Sequence, residues 1–423
     1  MTIGIIGGGL SGLTAAALFA KQGTPVTLWD AGLLGGRATS QTVKGFTFNY
    51  GAHAIYGRDQ SILRKLTKQL GIEVTWLDFS ASRAKYEFSG HLTAVPANAW
   101  GLLKTEVIEG TNKVRFTWEI IKTILRVERG NPQQSIGQWL KTERVDEQVA
   151  QLMLDLASTN FFTAEPEKIP SDVYFEYYQK LFRTRKPVSY IEGGWQGLVQ
   201  ELERIILENR GEILKKTKIT AVELTTTGFL VRDRKKQEWN VERIIFAVPP
   251  REILKMATPT TIQKFVTPHA SHEPVEVFVY DLGLQPYIQT PYSYIYDRSH
   301  RAFITDLSHY DASLAPKDGQ VLQAIAYLEH DRLEDPDYIG HVRKGIEQML
   351  DVHFTDWRER IVAERTIKRA VVQEIKWKMG QGPLATQIPG HAGVAFVGDW
   401  CEGTGQLSEL AFSSAVSVFN RWT

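Results

Sequence analysis

The feature that most constrains this chain lies at its amino end, where the apolar run Ile3–Ile6 meets Gly7-Gly8-Gly9-Leu10-Ser11-Gly12. Four apolar residues without polar alternation suit a strand buried on both faces. Gly7, Gly9 and Gly12 match a G-x-G-x-x-G turn, and Leu13–Lys21 then reads as an Ala- and Leu-rich helix stopped by Gly23. A second apolar strand, Val26–Trp29, ends in Asp30. Each part has a task in a dinucleotide-binding βαβ unit. Gly7 permits the tight turn, Gly9 lets backbone approach a pyrophosphate, and Gly12 lets helix lie against strand. The helix start offers unpaired N–H groups and a positive dipole end to phosphates, and Asp30 is placed to accept from a ribose.

The chain has 423 residues, 43% hydrophobic and 23% charged, which excludes disordered, collagenous and coiled-coil classes. At ~150 residues per domain the length suggests about three units, more than one core usually spans. Lys and Arg total 49 against 48 Asp and Glu, so no basic excess points to a nucleic-acid partner. The single cysteine, Cys401, cannot form an internal disulfide, which fits a reducing compartment. No signal-peptide pattern opens the chain, and no apolar run nears the ~20 residues of a membrane span. A cytoplasmic protein is expected, with peripheral membrane contact left open.

Asp30 is followed by Ala31-Gly32-Leu33-Leu34-Gly35-Gly36-Arg37-Ala38-Thr39. Near the other end, the apolar strand Val394–Val397 runs into Gly398-Asp399, then Gly403-Thr404-Gly405, then Leu410, Ala411, Ser414, Ala415 and Val418 at helical spacing. Together these ends resemble the superfamily of flavin-containing amine oxidases, protoporphyrinogen oxidases and phytoene desaturases. The resemblance implies FAD rather than NAD, held non-covalently. It lays Leu10, Ser11, Ala31, Gly35, Gly36 and the Arg37 guanidinium along the pyrophosphate and ribityl chain. It also implies that Asp399 bonds a ribityl hydroxyl and that N–H groups near Leu407 and Ser408 aim a helix dipole at the flavin pyrimidine. Phe48–His53 resembles the segment whose Gly51, Ala52 and His53 run beside the isoalloxazine, and the backbone near Ile219 would meet the adenine.

By the same resemblance the fold is α/β. A Rossmann-like FAD-binding domain over residues 1–80, 190–262 and 385–423 is interleaved with an α+β substrate domain over 81–189 and 263–384. The latter combines an antiparallel sheet with a helical lobe at 97–189. Within the lobe, Val114, Trp118, Ile121 and Leu125 fall at helical spacing among basic residues. Core packing is the expected use of that stripe, and a membrane surface is the alternative.

FAD would accept a hydride at N5. Two departures from the amine-oxidase pattern bear on the substrate: Leu407 stands where a cage aromatic is expected, and Glu276–Val279 holds no lysine. They favour dehydrogenation of an apolar small molecule, in the manner of a desaturase or protoporphyrinogen oxidase, with oxygen or a quinone-like acceptor. Amine oxidation yielding hydrogen peroxide is the alternative. A flavin-free prenyl binder resembling Rab GDP dissociation inhibitors is a third reading, against which the intact Gly35-Gly36-Arg37 and Gly398-Asp399 argue. His53, Tyr56, Trp377 and Trp400 are the cavity candidates. Cys401 gives little support to a covalent flavin link. His269 and His272 lack the companions a metal site needs, so none is expected. No catalytic acid or base and no oligomeric state is assigned.

Overall fold

The computed structural model describes residues 1–51 and 53–423; Ala52, expected beside the flavin ring, lies outside them. Among the described residues, the strand Ile3–Ile6 (β1) is the middle of a five-stranded sheet in which every neighbouring pair is parallel. In order across the sheet, the strands are Glu212–Leu214, Val26–Trp29 (β2), β1, Arg243–Phe246 and Val394–Phe396. All four residues of β1 are buried, as their apolar run requires. The first helix, α1, spans Leu10–Lys21 and so begins before the apolar periodicity does. Leu10, Ser11 and Gly12 carry no apolar stripe to announce a helix; packing of Gly12 on the preceding turn recruits them.

From Leu13 to Ala20 every residue of α1 is buried. The helix packs against Trp195–Glu208 and against the closing helix Ser408–Trp422, with Phe19 edge-on to Phe419 at 5.2 Å. The first and last helices of the chain are thus neighbours. An antiparallel three-stranded sheet, Ile219–Leu224, Phe229–Asp233 and Glu238–Val241, closes the other side of the parallel sheet through Phe229 and Val231.

A seven-stranded sheet forms the second layer system. Its order is Ile361–Gln373, Val275–Leu284, Gln320–Tyr327, Ala302–Asp306, Tyr294–Asp297, Ala84–Phe88 and His91–Ala94. Neighbours are antiparallel except for Tyr294–Asp297 beside Ala84–Phe88. Period-two alternation sends Val277, Val279 and Ile325 to one face and Phe278, Tyr280 and Leu282 to the other. The Tyr338–His353 helix covers the second face. The first is covered by a helical lobe of Ala99–Lys104, Thr111–Ile124, Ile136–Thr142, Glu147–Phe161 and Ser171–Leu181. Ser135 and Gln138 start one of these helices with reciprocal capping bonds.

The Thr111–Ile124 helix corrects one expectation. Its stripe of Val114, Trp118, Ile121 and Leu125 faces outward, with Val114 71% and Trp118 57% exposed. Phe116 and Thr123 face inward instead, with Ile120 packed against the core. The helix carries apolar residues on both sides, and periodicity alone cannot say which stripe the neighbouring helices will take. No helix among the described residues is long and apolar enough to cross a membrane.

Candidate functional site: a dinucleotide cradle beside an aromatic cavity

The turn after β1 is held by close backbone contacts. Gly7 has φ 110°, and a Cβ there would lie 2.6 Å from the Ala247 carbonyl oxygen. A Cβ on Gly12 would lie 1.9 Å from the Gly7 oxygen. Gly9 differs, because no protein atom lies within 4 Å of where its Cβ would be. That open space faces the start of α1, which has no side-chain cap and no acid in its first turn. Unsatisfied N–H groups at Leu10 and Ser11 and the dipole end therefore suit an anionic group.

Asp30 braces this turn. Its two oxygens accept from Gly8 N–H at 2.6 Å and Gly32 N–H at 2.7 Å. A carboxylate has about four lone-pair sites, so capacity remains for a ribose hydroxyl. Ala31 beside it is exposed. Gly35, at φ 100°, donates to the Gly8 carbonyl at 2.8 Å, and Gly36, at φ 57°, lies against Gly9. The two glycine-rich loops are thus stacked into one cradle.

Arg37 and Asp399 meet across the fold at 2.7 Å, Asp399 almost fully buried. Burial opposes the Arg37 charge, but Asp399, with Glu374 behind it, more than offsets this and holds the guanidinium above its ordinary pKa. The other Asp399 oxygen accepts from Glu374 N–H at 3.2 Å. Gly398 is fastened to the closing helix by Ser414, whose hydroxyl accepts the Gly398 N–H at 3.0 Å. Leu407 caps that helix at φ 56° and donates its N–H to Gln373 at 2.7 Å, with Ser408 as the first helical residue. Ile219 is buried at the head of its strand, packed with Phe246 in the same cluster as Trp400 and Cys401.

Gly51, at φ 63°, sits with its Cβ position 3.4 Å from Val372. From there the chain enters a cavity of about 680 Å³ walled by His53, Tyr56, Tyr86, Phe116, Tyr190, Tyr294 and Phe303, among other residues. Burial lowers His53 to about 4, so the ring is neutral at pH 7, and burial raises the Tyr56 phenol. Trp377 and Trp400 are not in the wall. Trp377 donates to Gln406 at 2.5 Å, and Trp400 packs against the glycine of Gly398, where a Cβ would strike its ring. Trp400 belongs to the cluster on the far side of the parallel sheet, whereas half-buried Trp377 packs against the aromatic cluster behind the cavity wall.

Both carboxylates in the cavity wall already have partners. Asp155 is bonded by Tyr86 at 2.5 Å and by the Arg298 guanidinium at 3.0 Å. Asp78, at the rim, pairs with Lys186 at 2.6 Å and Arg58 at 2.7 Å.

The profile of the family described as flavin containing amine oxidoreductase matches residues 10–418. The chain belongs to that family. Solved structures with this fold include an oxidoreductase from Methanosarcina mazei, 17% identical, covering 99% of this chain and 100% of that one at TM-score 0.82. Cyclohexylamine oxidase from Brevibacterium oxydans is 16% identical, with 99% of each chain covered at TM-score 0.69. A protein from Exiguobacterium named as a candidate protoporphyrinogen oxidase is 16% identical, covering 100% of this chain and 98% of that one at TM-score 0.70. At such identities the likeness is one of fold. An uncharacterized protein of Methanocaldococcus jannaschii is 23% identical over 268 residues, which is 60% of either chain.

Within this amine oxidoreductase fold, three residues that no motif marks hold the segment leading to Gly51. Asp281, Gln323 and Arg365 are cross-strand neighbours in the large sheet. Arg365 bonds Asp281 at 2.6 Å and donates to the Asn49 carbonyl at 2.6 Å and to the Phe48 carbonyl at 3.2 Å. Gln323 donates to Asp281 at 2.8 Å. Burial pushes Asp281 up to about 6, with Arg365 and Gln323 opposing the rise. A signal existed in the sequence: Asp281 is one carboxylate inside an otherwise apolar stretch, Phe278–Leu284. Its partner is not readable without the strand register.

Four outcomes follow from this geometry. Gly12→Ala should cost ~1–3 kcal/mol or more through overpacking, seen as a lowered unfolding midpoint. Gly9→Ala should leave the midpoint of flavin-free protein unchanged while flavin absorbance is lost on desalting; full retention would contradict the cradle. Asp281→Asn should cost roughly 3–5 kcal/mol by leaving the part-buried Arg365 without its counter-charge. Removing the exposed pair Arg369–Glu276 on the same sheet should cost under ~1 kcal/mol; equal losses would refute the bracing role. His53 takes a proton near 6.5 when unfolded but only near 4 in the fold. The unfolded state therefore binds more protons in that window, and stability falls as pH drops through it. His53→Gln should gain up to about 3 kcal/mol relative to wild type between pH 7 and pH 4, read from urea midpoints.

Proposed function

We propose that the protein holds FAD non-covalently and is an oxidoreductase that dehydrogenates a bulky, mainly apolar small molecule, with oxygen or a quinone-like compound as electron acceptor. The cradle supports FAD on several counts: the uncapped start of α1, the clear space at Gly9 and the guanidinium of Arg37, held in place by Asp399, all suit a pyrophosphate. Asp399, with one oxygen on Arg37 and the other on Glu374 N–H, retains capacity for a sugar-alcohol hydroxyl. Cys401 is fully buried with its thiol pushed well above the ordinary range, so it is a poor nucleophile for a covalent link. Bound FAD supplies the hydride acceptor.

The chain's own residues bind and orient the substrate. Aromatic and aliphatic side chains of the cavity exclude water and offer dispersion contacts to a flat or extended apolar body. Neutral His53 joins the segment proposed to face the flavin to the cavity and is placed to make a hydrogen bond there, while its burial disfavours taking a proton. The observation that carries the apolar reading is the state of Asp78 and Asp155. A protonated amine is best held by an uncommitted carboxylate, and both acids among the lining residues are already engaged by cations. Desaturase-like or protoporphyrinogen-oxidase-like dehydrogenation is therefore favoured over amine oxidation.

Purified protein should show flavin absorbance that is released by denaturation. Under anaerobic conditions that absorbance should bleach with a porphyrinogen or polyene and not with primary amines. Colourless protein that takes up no FAD would overturn the cofactor assignment. Bleaching by amines with peroxide on readmitting air would establish the amine-oxidase reading instead.

A further inference from the structure

The polar groups in the cavity wall divide by whether they already have partners. Asp155 and Asp78 are held by cations, and the Tyr86 hydroxyl is spent on Asp155. Asn160 donates to the Tyr178 hydroxyl at 2.9 Å, Thr159 to the Asp155 backbone carbonyl at 2.9 Å, and Gln323 to Asp281 at 2.8 Å. Tyr56 and Tyr190 differ. Both line the cavity, and neither hydroxyl bonds another group among the described residues. Nor is either sealed away, as the Tyr294 and Tyr327 hydroxyls are. The Tyr296 hydroxyl is also unbonded, but its charged neighbours are Asp155 and Arg298.

Local sheet geometry brings the two phenols together. The strand Ile55–Tyr56 pairs antiparallel with Val188–Ile191, and Tyr56 lies opposite Val188. Cross-strand partners point to one face, as do residues two apart on a strand. Tyr56, Val188 and Tyr190 therefore share a face, and all three line the cavity, whereas Ile55, Ser189 and Ile191 do not. His53 joins them, its ring 5.2 Å from that of Tyr190. Gly51 precedes His53 by two residues, at most ~7 Å of chain. The cluster thus stands at the end of the cavity next to the segment proposed to face the flavin. Burial raises both phenols, and for Tyr190 the neighbouring Tyr310 and Tyr56 add to the rise. At neutral pH each is an uncharged O–H donor, beside a neutral imidazole. Arg298 is committed to Asp155 and Lys186 to Asp78, and Arg185 at the rim is exposed.

We propose that Tyr56 and Tyr190 recognise an uncharged oxygen acceptor, a carbonyl, ether or hydroxyl group, on the otherwise apolar substrate, and hold it beside His53. The inference deepens the reading of an apolar substrate given above and rests on it. A plain hydrocarbon filling this cavity would strip water from two phenols and return no hydrogen bond, and an unmade bond costs more than a made one gains. A site with donors placed in this way rejects the analogue that lacks the oxygen. An ionised carboxylate fits less well, because neutral phenols cannot offset the desolvation of a full charge. The two hydroxyls are thus specificity determinants, set by the small sheet that carries the chain from Gly51 into the cavity wall.

The test is equilibrium dialysis of the purified protein against three probes of similar shape. These are benzophenone, diphenylmethane, which lacks its carbonyl, and para-benzoylbenzoate, which adds a carboxylate. Tyr56→Phe and Tyr190→Phe remove the hydroxyls and keep the rings, so the urea midpoint should stay at the wild-type value. In each variant the ratio of benzophenone affinity to diphenylmethane affinity should fall about fivefold. A purely structural role for the tyrosines would move both affinities together and leave that ratio alone. A ratio unchanged in both variants would overturn the proposal, as would the absence of benzophenone binding to the wild type. Tighter binding of para-benzoylbenzoate than of benzophenone would overturn it in favour of an anionic group held by the rim cations. Dialysis reads binding without turnover, so its failure and a failure of the proposed dehydrogenation are separate results.

Discussion

The rest of the structure depends on β1 being enclosed in a parallel sheet. It pairs with β2 on one side and with Arg243–Phe246 on the other, and its residues are buried on both faces. Parallel pairing requires crossover connections, so the sheet draws strands from positions 26, 212, 243 and 394 into one layer. Everything between those positions must leave the sheet and return. That geometry brings α1 against the closing helix and sets Arg37 opposite Asp399, although 362 residues separate them. The glycine contacts serve the same closure: with a side chain at Gly12, α1 could not approach the turn that β1 feeds.

A second coupling joins the parallel sheet's loops to the large sheet. Arg365 sits half in each, bonded to Asp281 in its own sheet and to the carbonyls of Phe48 and Asn49 in the segment leading to Gly51. Burying such a pair is costly unless its remaining donors and acceptors are used. Here Gln323 takes the other Asp281 oxygen, and the spare guanidinium donors reach backbone. The arrangement turns an expensive ion pair into a geometric clamp on the backbone beside the cavity. His53 lies a few residues beyond the clamp, so its position in the cavity wall depends on charges that never touch a ligand.

Much of the cradle was legible because its signals are local. A run of apolar residues, three spaced glycines and an acid at a strand end each act within one βαβ unit, and β1 and β2 fall where their residues indicate. The large antiparallel sheet was expected from the family resemblance, and the alternation of Val277 and Val279 with Phe278, Tyr280 and Leu282 between its two faces is the local signal for it. The outward stripe at Val114, Trp118 and Leu125 was not legible. Two apolar faces on one helix are indistinguishable until the partners of Phe116 and Ile120 are in place. Trp400 was misplaced similarly, since a residue next to a cofactor motif in sequence can point into the opposite layer.

By itself, then, the sequence determined the βαβ cradle, the closing strand and helix, and the membership of a flavin-binding family. Those features rest on backbone conformations that glycine permits and on burial patterns repeating over a few residues. Only the tertiary structure decided which acids remain free, which tryptophans face a cavity and which apolar stripe meets water. Each of those depends on pairing between residues far apart in the chain, as Asp155 with Arg298 and Asp281 with Arg365 illustrate. Such pairing is a property of strand register and helix packing, and no single segment carries it.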